Sequence, residues 1–120
     1  MKSLIQGVSR FHNGVYRRHV DFFEKLASGQ HPQTLFITCA DSRVDPGLVT
    51  QSRPGSLFVL RNAGNLVPPY GTGGSEAGAI ELAVLELGIA EIVVCGHSDC
   101  GAMKAALQKP LASGLQGSGE

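Results

Sequence analysis

The 120-residue chain has no tryptophan, only two tyrosines and only three cysteines. Three cysteines cannot form a fully paired disulfide framework, which argues for reduced thiols. No apolar run approaches the roughly twenty residues of a membrane-spanning helix; the longest are strand-sized. Neither sign of charge is in excess. Ten basic and ten acidic side chains cancel, so the composition points to neither nucleic acid nor a solvating acidic arm. The opening residues Met1-Lys2-Ser3-Leu4 lack the apolar segment of a signal peptide, which favours the cytosol. No lysine follows Gly71, Gly73 and Gly74 at the spacing a phosphate-cradling P-loop requires, which argues against nucleotide binding. No internal repeat is visible. The length suits one domain.

What is present is an alternation of helical and strand-like segments. Leu4, Val8, Phe11, Val15, Phe22, Phe23 and Leu26 recur near helical spacing, predicting one or two amphipathic helices over residues 4–28 with a break near Asn13-Gly14. Gly29 and Pro32 fit a helix stop. The nearly unbroken apolar run Thr34–Ala40 reads as a strand buried on both faces. Asp45-Pro46 caps a short helix over Gly47–Gln51. Ser56–Arg61 reads as a second strand, and Asn62–Gly74 as a loop. A helix starts at Ser75, with Ile80, Ala83, Val84 and Leu87 on one face and Gly88 as its stop. Glu91–Gly96 reads as a third buried strand, and Cys100–Leu107 as a final helix. Pro110–Glu120 has little apolar material and is expected to be disordered. Strand, helix and strand in alternation predict an α/β fold with a parallel sheet and right-handed crossovers.

Two clusters carry the chemistry. Cys39-Ala40-Asp41-Ser42-Arg43 follows the first strand, and His97-Ser98-Asp99-Cys100-Gly101 follows the third. Open α/β sheets place their sites at such strand ends. Two thiolates, an imidazole and a carboxylate form a complete tetrahedral set for zinc. Any single cysteine is more often a buried, inert hydrophobe, but two strand ends here both deliver ligand-type residues. Arg43 leaves two states open. If it pairs with Asp41, three protein ligands and a free position remain; if Asp41 takes the metal, the site is closed. Cys95 reads as a buried structural thiol, and His12, His19 and His31 as solvent-facing or capping residues.

The segments Cys39-Ala40-Asp41-Ser42-Arg43-Val44-Asp45-Pro46 and Cys95-Gly96-His97-Ser98-Asp99-Cys100-Gly101 resemble the β-class carbonic anhydrases. Phe58 through Tyr70, with Arg61-Asn62-Ala63-Gly64-Asn65, strengthens the resemblance, which runs to about Leu107. It implies a parallel-core sheet flanked by helices with an N-terminal helical arm, as one zinc domain over residues 1–109. It implies zinc, one per chain, held by Cys39, His97 and Cys100, with Asp41 joining only in a closed state. Asp41 and Arg43 would be the dyad that frees the fourth position for water. Gln30, the Gly101 backbone N–H, Phe58, Ala63 and Leu82 would bind substrate. Many family members carry tyrosine at the Leu82 position. Phe36 stands where the bicarbonate-inhibited branch has tryptophan, which argues against that inhibitory site.

The implied reaction is reversible hydration of carbon dioxide to bicarbonate and a proton by hydroxide on zinc. The implied assembly is a homodimer or higher homo-oligomer. The rival readings are a carbon disulfide or carbonyl sulfide hydrolase on the same scaffold, and an inactive structural zinc module. Relatives of this family continue past the helix after Cys100, so Gly114–Glu120 reads as the end of a truncated chain with an exposed sheet edge.

Overall fold

A computed structural model of the chain describes residues 1–108. It divides into two compact units, Met1–His31 and the residues from Pro32 onward.

In the first unit, α1 (Lys2–Arg10) continues into a π-helical turn over Phe11–Tyr16, and α2 spans Val20–Ala27. The expected break at Asn13-Gly14 does not occur. The Asn13 amide donates one turn back to the Ser9 carbonyl at 3.0 Å, and the helix runs through. The break falls at His19, whose φ of −135° and ψ of 39° leave helical geometry. Phe11 meets Phe23 edge-on at 5.4 Å between centroids, and Tyr16 lies 5.7 Å from Phe23, so aromatic contacts join the two helices. His12 stacks on Tyr16. Leu4, Ile5 and Val8 stay exposed on α1. Gly29, with φ of +153°, ends the run after the Ser28 hydroxyl has bonded the Lys25 carbonyl.

The second unit is a parallel sheet in the order β2-β1-β3. Its elements are β1 (Thr34–Cys39), α3 (Pro46–Thr50), β2 (Leu57–Asn62), α4 (Ser75–Glu81) widening into a π-helical turn over Leu82–Glu86, β3 (Glu91–Cys95) and α5 (Gly101–Gln108). The expected short helix opens as its sequence requires: the Asp45 carboxylate accepts from the Leu48 N–H at 3.1 Å, ahead of Pro46. Every residue of β1 is buried, as its nearly unbroken apolar run implies. On one face Leu35 and Ile37 lie level with Phe58 and Leu60 of β2. Ala83 and Ile89 close over them, with Ile80 and Leu87 alongside. Val84, expected on this face, is not part of that cluster and is 40% exposed.

The reading of Glu91–Gly96 as a buried strand is corrected. Among the described residues β3 pairs only with β1, and four of its five residues are exposed, Ile92 and Val94 by half or more. The apolar cluster beneath α4 gathers side chains from β1 and β2 but none from β3. Periodicity reports apolar character; it cannot report how far the covering layer reaches. No helix among the described residues is long and apolar enough to cross a membrane. The expectation for Pro110–Glu120 lies outside the described residues.

With β2 on one side of β1 and β3 on the other, the chain reverses its travel across the sheet. The crevice at the carboxyl ends of β1 and β3 is the kind of switch point where such sheets bind ligands. Replacing the fully buried Leu35 with alanine should lower unfolding free energy by about 3 kcal/mol, whereas Ile92→Ala should cost about 1 kcal/mol or less. Urea unfolding followed by circular dichroism measures both; equal losses would contradict the placement of the core.

Candidate metal centre

Cys39 is the last residue of β1, and Cys100 immediately precedes α5. Because β1 and β3 are parallel and Thr38 lies level with Cys95, the turn after β3 emerges beside Cys39. The two sulfurs are 3.9 Å apart and buried. A tetrahedral zinc with Zn–S bonds of about 2.3 Å separates its sulfurs by about 3.8 Å, so this spacing fits. The ligand atoms of Cys39, His97 and Cys100 all lie within 4.8 Å of one another. His97 Nδ1 is 2.8 Å from the Ser98 carbonyl, which fixes the tautomer with the proton on Nδ1. Nε2 then carries the lone pair; it is buried and has no hydrogen-bond partner. An orphaned imidazole nitrogen beside two close sulfurs is a donor set that suits zinc.

The electrostatics favour the ligand form of Cys39. Its thiol is lowered from 9.0 to about 6, first by the Gly64 N–H, then by the nearby His97 ring and the Asp41 backbone. The Gly64 bond to sulfur is 3.3 Å. Gly64 has a φ of +89°, and a Cβ there would meet the Ala102 Cβ at 3.3 Å, so only glycine brings this N–H to the sulfur without strain. The Cys39 sulfur raises the pKa of His97, and the Ser98 carbonyl adds to the effect.

Asp41 sits at the rim of this cluster, its Oδ2 3.9 Å from His97 Nε2. Arg43 holds both of its oxygens: Nε donates to Oδ1 at 3.0 Å and Nη2 to Oδ2 at 2.7 Å, and the Arg43 backbone N–H adds a bond to Oδ1. The side-chain bonds from Arg43, then its backbone N–H, keep the Asp41 carboxyl well below the usual carboxylate range. In this structure Asp41 is therefore drawn onto Arg43.

The other residues singled out from the sequence are more dispersed. Gly101 opens α5 next to Cys100, and Ala63 is exposed beside Gly64. Phe58 packs against the core cluster, while Leu82 is 43% exposed at the start of its π-helical turn. Gln30 is exposed and belongs to the N-terminal unit. Cys95 is half-buried rather than fully buried, and its thiol bonds only the Gly96 carbonyl.

Three contributors were not assigned roles from the sequence. Asp99 accepts from Arg43, Lys104 bonds Asp99, and Arg61 donates to the carbonyls of Cys39, Asp41 and Val44, each at 2.9 Å. Arg61 did carry a signal, being a lone charge at the end of an apolar strand. The other two lie in turns and helix surfaces where charge is commonplace.

Fold and site together define an α/β protein with a Cys-His-Cys centre at the rim of a parallel sheet. Residues 34–118 match the family model described as carbonic anhydrase. The chain is 56% identical over 109 residues to a carbonic anhydrase of Synechocystis, covering 90% of this chain and 40% of that one. The structure of the β-carbonic anhydrase CcaA superposes with a TM-score of 0.89 at 52% identity, over 98% of this chain and 56% of that one. Two tetrameric β-carbonic anhydrases of Sordaria macrospora are represented by a match at 36% identity with a TM-score of 0.82, over 90% of this chain and 54% of the other. This chain belongs to the β-class carbonic anhydrases. It spans between two fifths and just over half the length of these relatives.

Metal analysis of purified protein should find that Cys39→Ser or Cys100→Ser removes most zinc while Cys95→Ala retains it. Full occupancy in either of the first two would refute the ligand set. Zinc competes with protons for Cys39 and for His97 Nε2. Affinity should therefore fall as pH drops, first as His97, whose pKa is raised, takes a proton on Nε2, and then through about 6, where Cys39 regains its proton. A competition titration with a chelator across that range gives the sign directly.

Proposed function

We propose that the protein to which this chain belongs is a zinc-dependent carbonic anhydrase, hydrating carbon dioxide reversibly to bicarbonate and a proton. The observation that carries this reading is Asp41 held at both oxygens by Arg43, at the edge of a three-donor cluster. Three protein ligands with a fourth position free is the arrangement of catalytic zinc, whereas four is that of structural zinc. When bound, zinc supplies the Lewis acidity that makes water a nucleophile near neutral pH.

In this reading Cys39, His97 and Cys100 hold one zinc per chain. The Gly64 N–H keeps the Cys39 sulfur anionic, and the Ser98 carbonyl orients the His97 ring. Asp41, kept ionised by Arg43, can only accept hydrogen bonds; its Oδ2 turns the O–H of the attacking water so that a lone pair faces the substrate. Carbon dioxide is small and apolar, so Phe58, Ala63 and Leu82 serve as pocket walls. The Gly101 N–H meets the oxygens on which charge develops, and Gln30 is a substrate-binding residue by the same resemblance. The roles of these five residues rest on family resemblance.

Association into a homodimer or higher homo-oligomer is part of the proposal. The solved Sordaria relatives are tetrameric, and the exposed Leu4, Ile5 and Val8 of α1 leave apolar surface for a partner.

Arg43→Ala should keep zinc but lose carbon dioxide hydration by about 10- to 100-fold, the size of a lost charge-assisted hydrogen bond. Stopped-flow indicator assays on wild type and variant test this, and near-normal turnover would count against the dyad. Running carbon disulfide and carbonyl sulfide beside carbon dioxide tests the substrate. Hydrolysis of either without carbon dioxide hydration would reassign the activity.

A further inference from the structure

Arg43 has a second anionic partner. Beyond its two bonds to Asp41, its Nη1 donates to Asp99 Oδ2 at 3.2 Å and its Nη2 to the Asp99 backbone carbonyl at 3.1 Å. Four of the five guanidinium N–H bonds are then committed, so the plane of the group is fixed on two sides. Asp99 lies between His97 and Cys100, on the turn that carries both. Arg43 therefore bridges the loop after β1 to the turn after β3, linking the two halves of the cluster.

Asp99 is itself shaped and braced for this contact. Its φ of +56° is left-handed, a conformation tolerated by aspartate, asparagine and glycine but unfavourable for most residues. In that conformation its carbonyl and its carboxylate both meet Arg43. Its other carboxylate oxygen is bonded by Lys104 on α5. Lys104 matters to the sign of the effect. A bare Asp99 would compete with Asp41 for the positive charge of Arg43; paired with Lys104, it acts on Arg43 chiefly by fixing its orientation.

We propose that Asp99, braced by Lys104, is a positioning residue that keeps Arg43 aimed at Asp41 and so keeps Asp41 off the fourth metal position. This rests on the carbonic anhydrase reading and deepens it. Without Asp99 the guanidinium is released on one side, Asp41 leaves it more readily, and the carboxylate takes the metal position more often.

Cobalt(II)-substituted protein reports this without turnover. Azide competes with Asp41 for the fourth position, and its dissociation constant at fixed pH is read from the visible spectrum. Asp99→Gly keeps the left-handed backbone while removing the carboxylate, and should weaken azide binding about threefold, the scale of an exposed ion pair. Asp99→Asn keeps both the backbone and an acceptor oxygen, and should restore most of the affinity. In an Asp41→Ala background, Asp99→Gly should have no effect, because the competing carboxylate is gone. Unchanged azide affinity in Asp99→Gly overturns the proposal, as does a weakening that persists in the Asp41→Ala background. If wild type takes no azide while Asp41→Ala does, Asp41 resides permanently on the metal. That result would overturn the hydration reading itself, and the proposal with it.

Discussion

The parallel pairing of β1 with both of its neighbours is the constraint on which the site depends. Parallel strands present all their carboxyl ends at one rim. With β1 between β2 and β3, Cys39 lies level with Asn62 on one side, and Thr38 with Cys95 on the other. Side-chain bonds reinforce the register: the Thr38 hydroxyl donates to the Cys95 carbonyl, and Thr34 bonds Glu91 at the opposite end. Were β3 antiparallel, His97 and Cys100 would emerge a full strand length from Cys39. The buried cluster beneath α4 holds β1 and β2 together, while strand pairing and the two threonine bonds hold β3, and with it the turn bearing His97 and Cys100, against β1.

At the rim, charge is handled locally. Asp41 and Asp99 share Arg43, Lys104 answers Asp99, and these four charges sum to zero. The remaining negative charge sits on sulfur, where a backbone N–H from Gly64 meets it. Dipoles fixed in the backbone need no rearrangement when charge appears, which is why a left-handed glycine is a better partner for a thiolate here than a mobile side chain.

Much of this was legible in the residues. β1 was readable because its nearly unbroken run of apolar and β-branched residues is that of a strand buried on both faces, and α3 because Asp45-Pro46 is a complete start signal. That Cys39, His97 and Cys100 lie at one rim of the sheet was legible from strand alternation, since each cluster ends a strand, but the adjacency of β1 and β3 that brings them together was not. The failures share a cause. The exposure of β3 depends on what covers it, and the passage of the N-terminal helix through Asn13-Gly14 depends on a side-chain bond to Ser9. The roles of Asp99 and Lys104 depend on Arg43 reaching across from another loop. Each is a relation between segments, and local pattern records only the segments.

Arg61 shows where the shape of the loop after β1 is specified. Its guanidinium grips three backbone carbonyls, those of Cys39, Asp41 and Val44, and no side chain of that loop. A carbonyl is present whatever residue bears it. The loop's path is thereby encoded by a residue on the neighbouring strand, while the exposed Ala40 and Ser42 contribute only chain. Mutational tolerance should accordingly be uneven: wide at those two positions and narrow at a strand residue some twenty places further on. Variation can accumulate around Cys39 without displacing it.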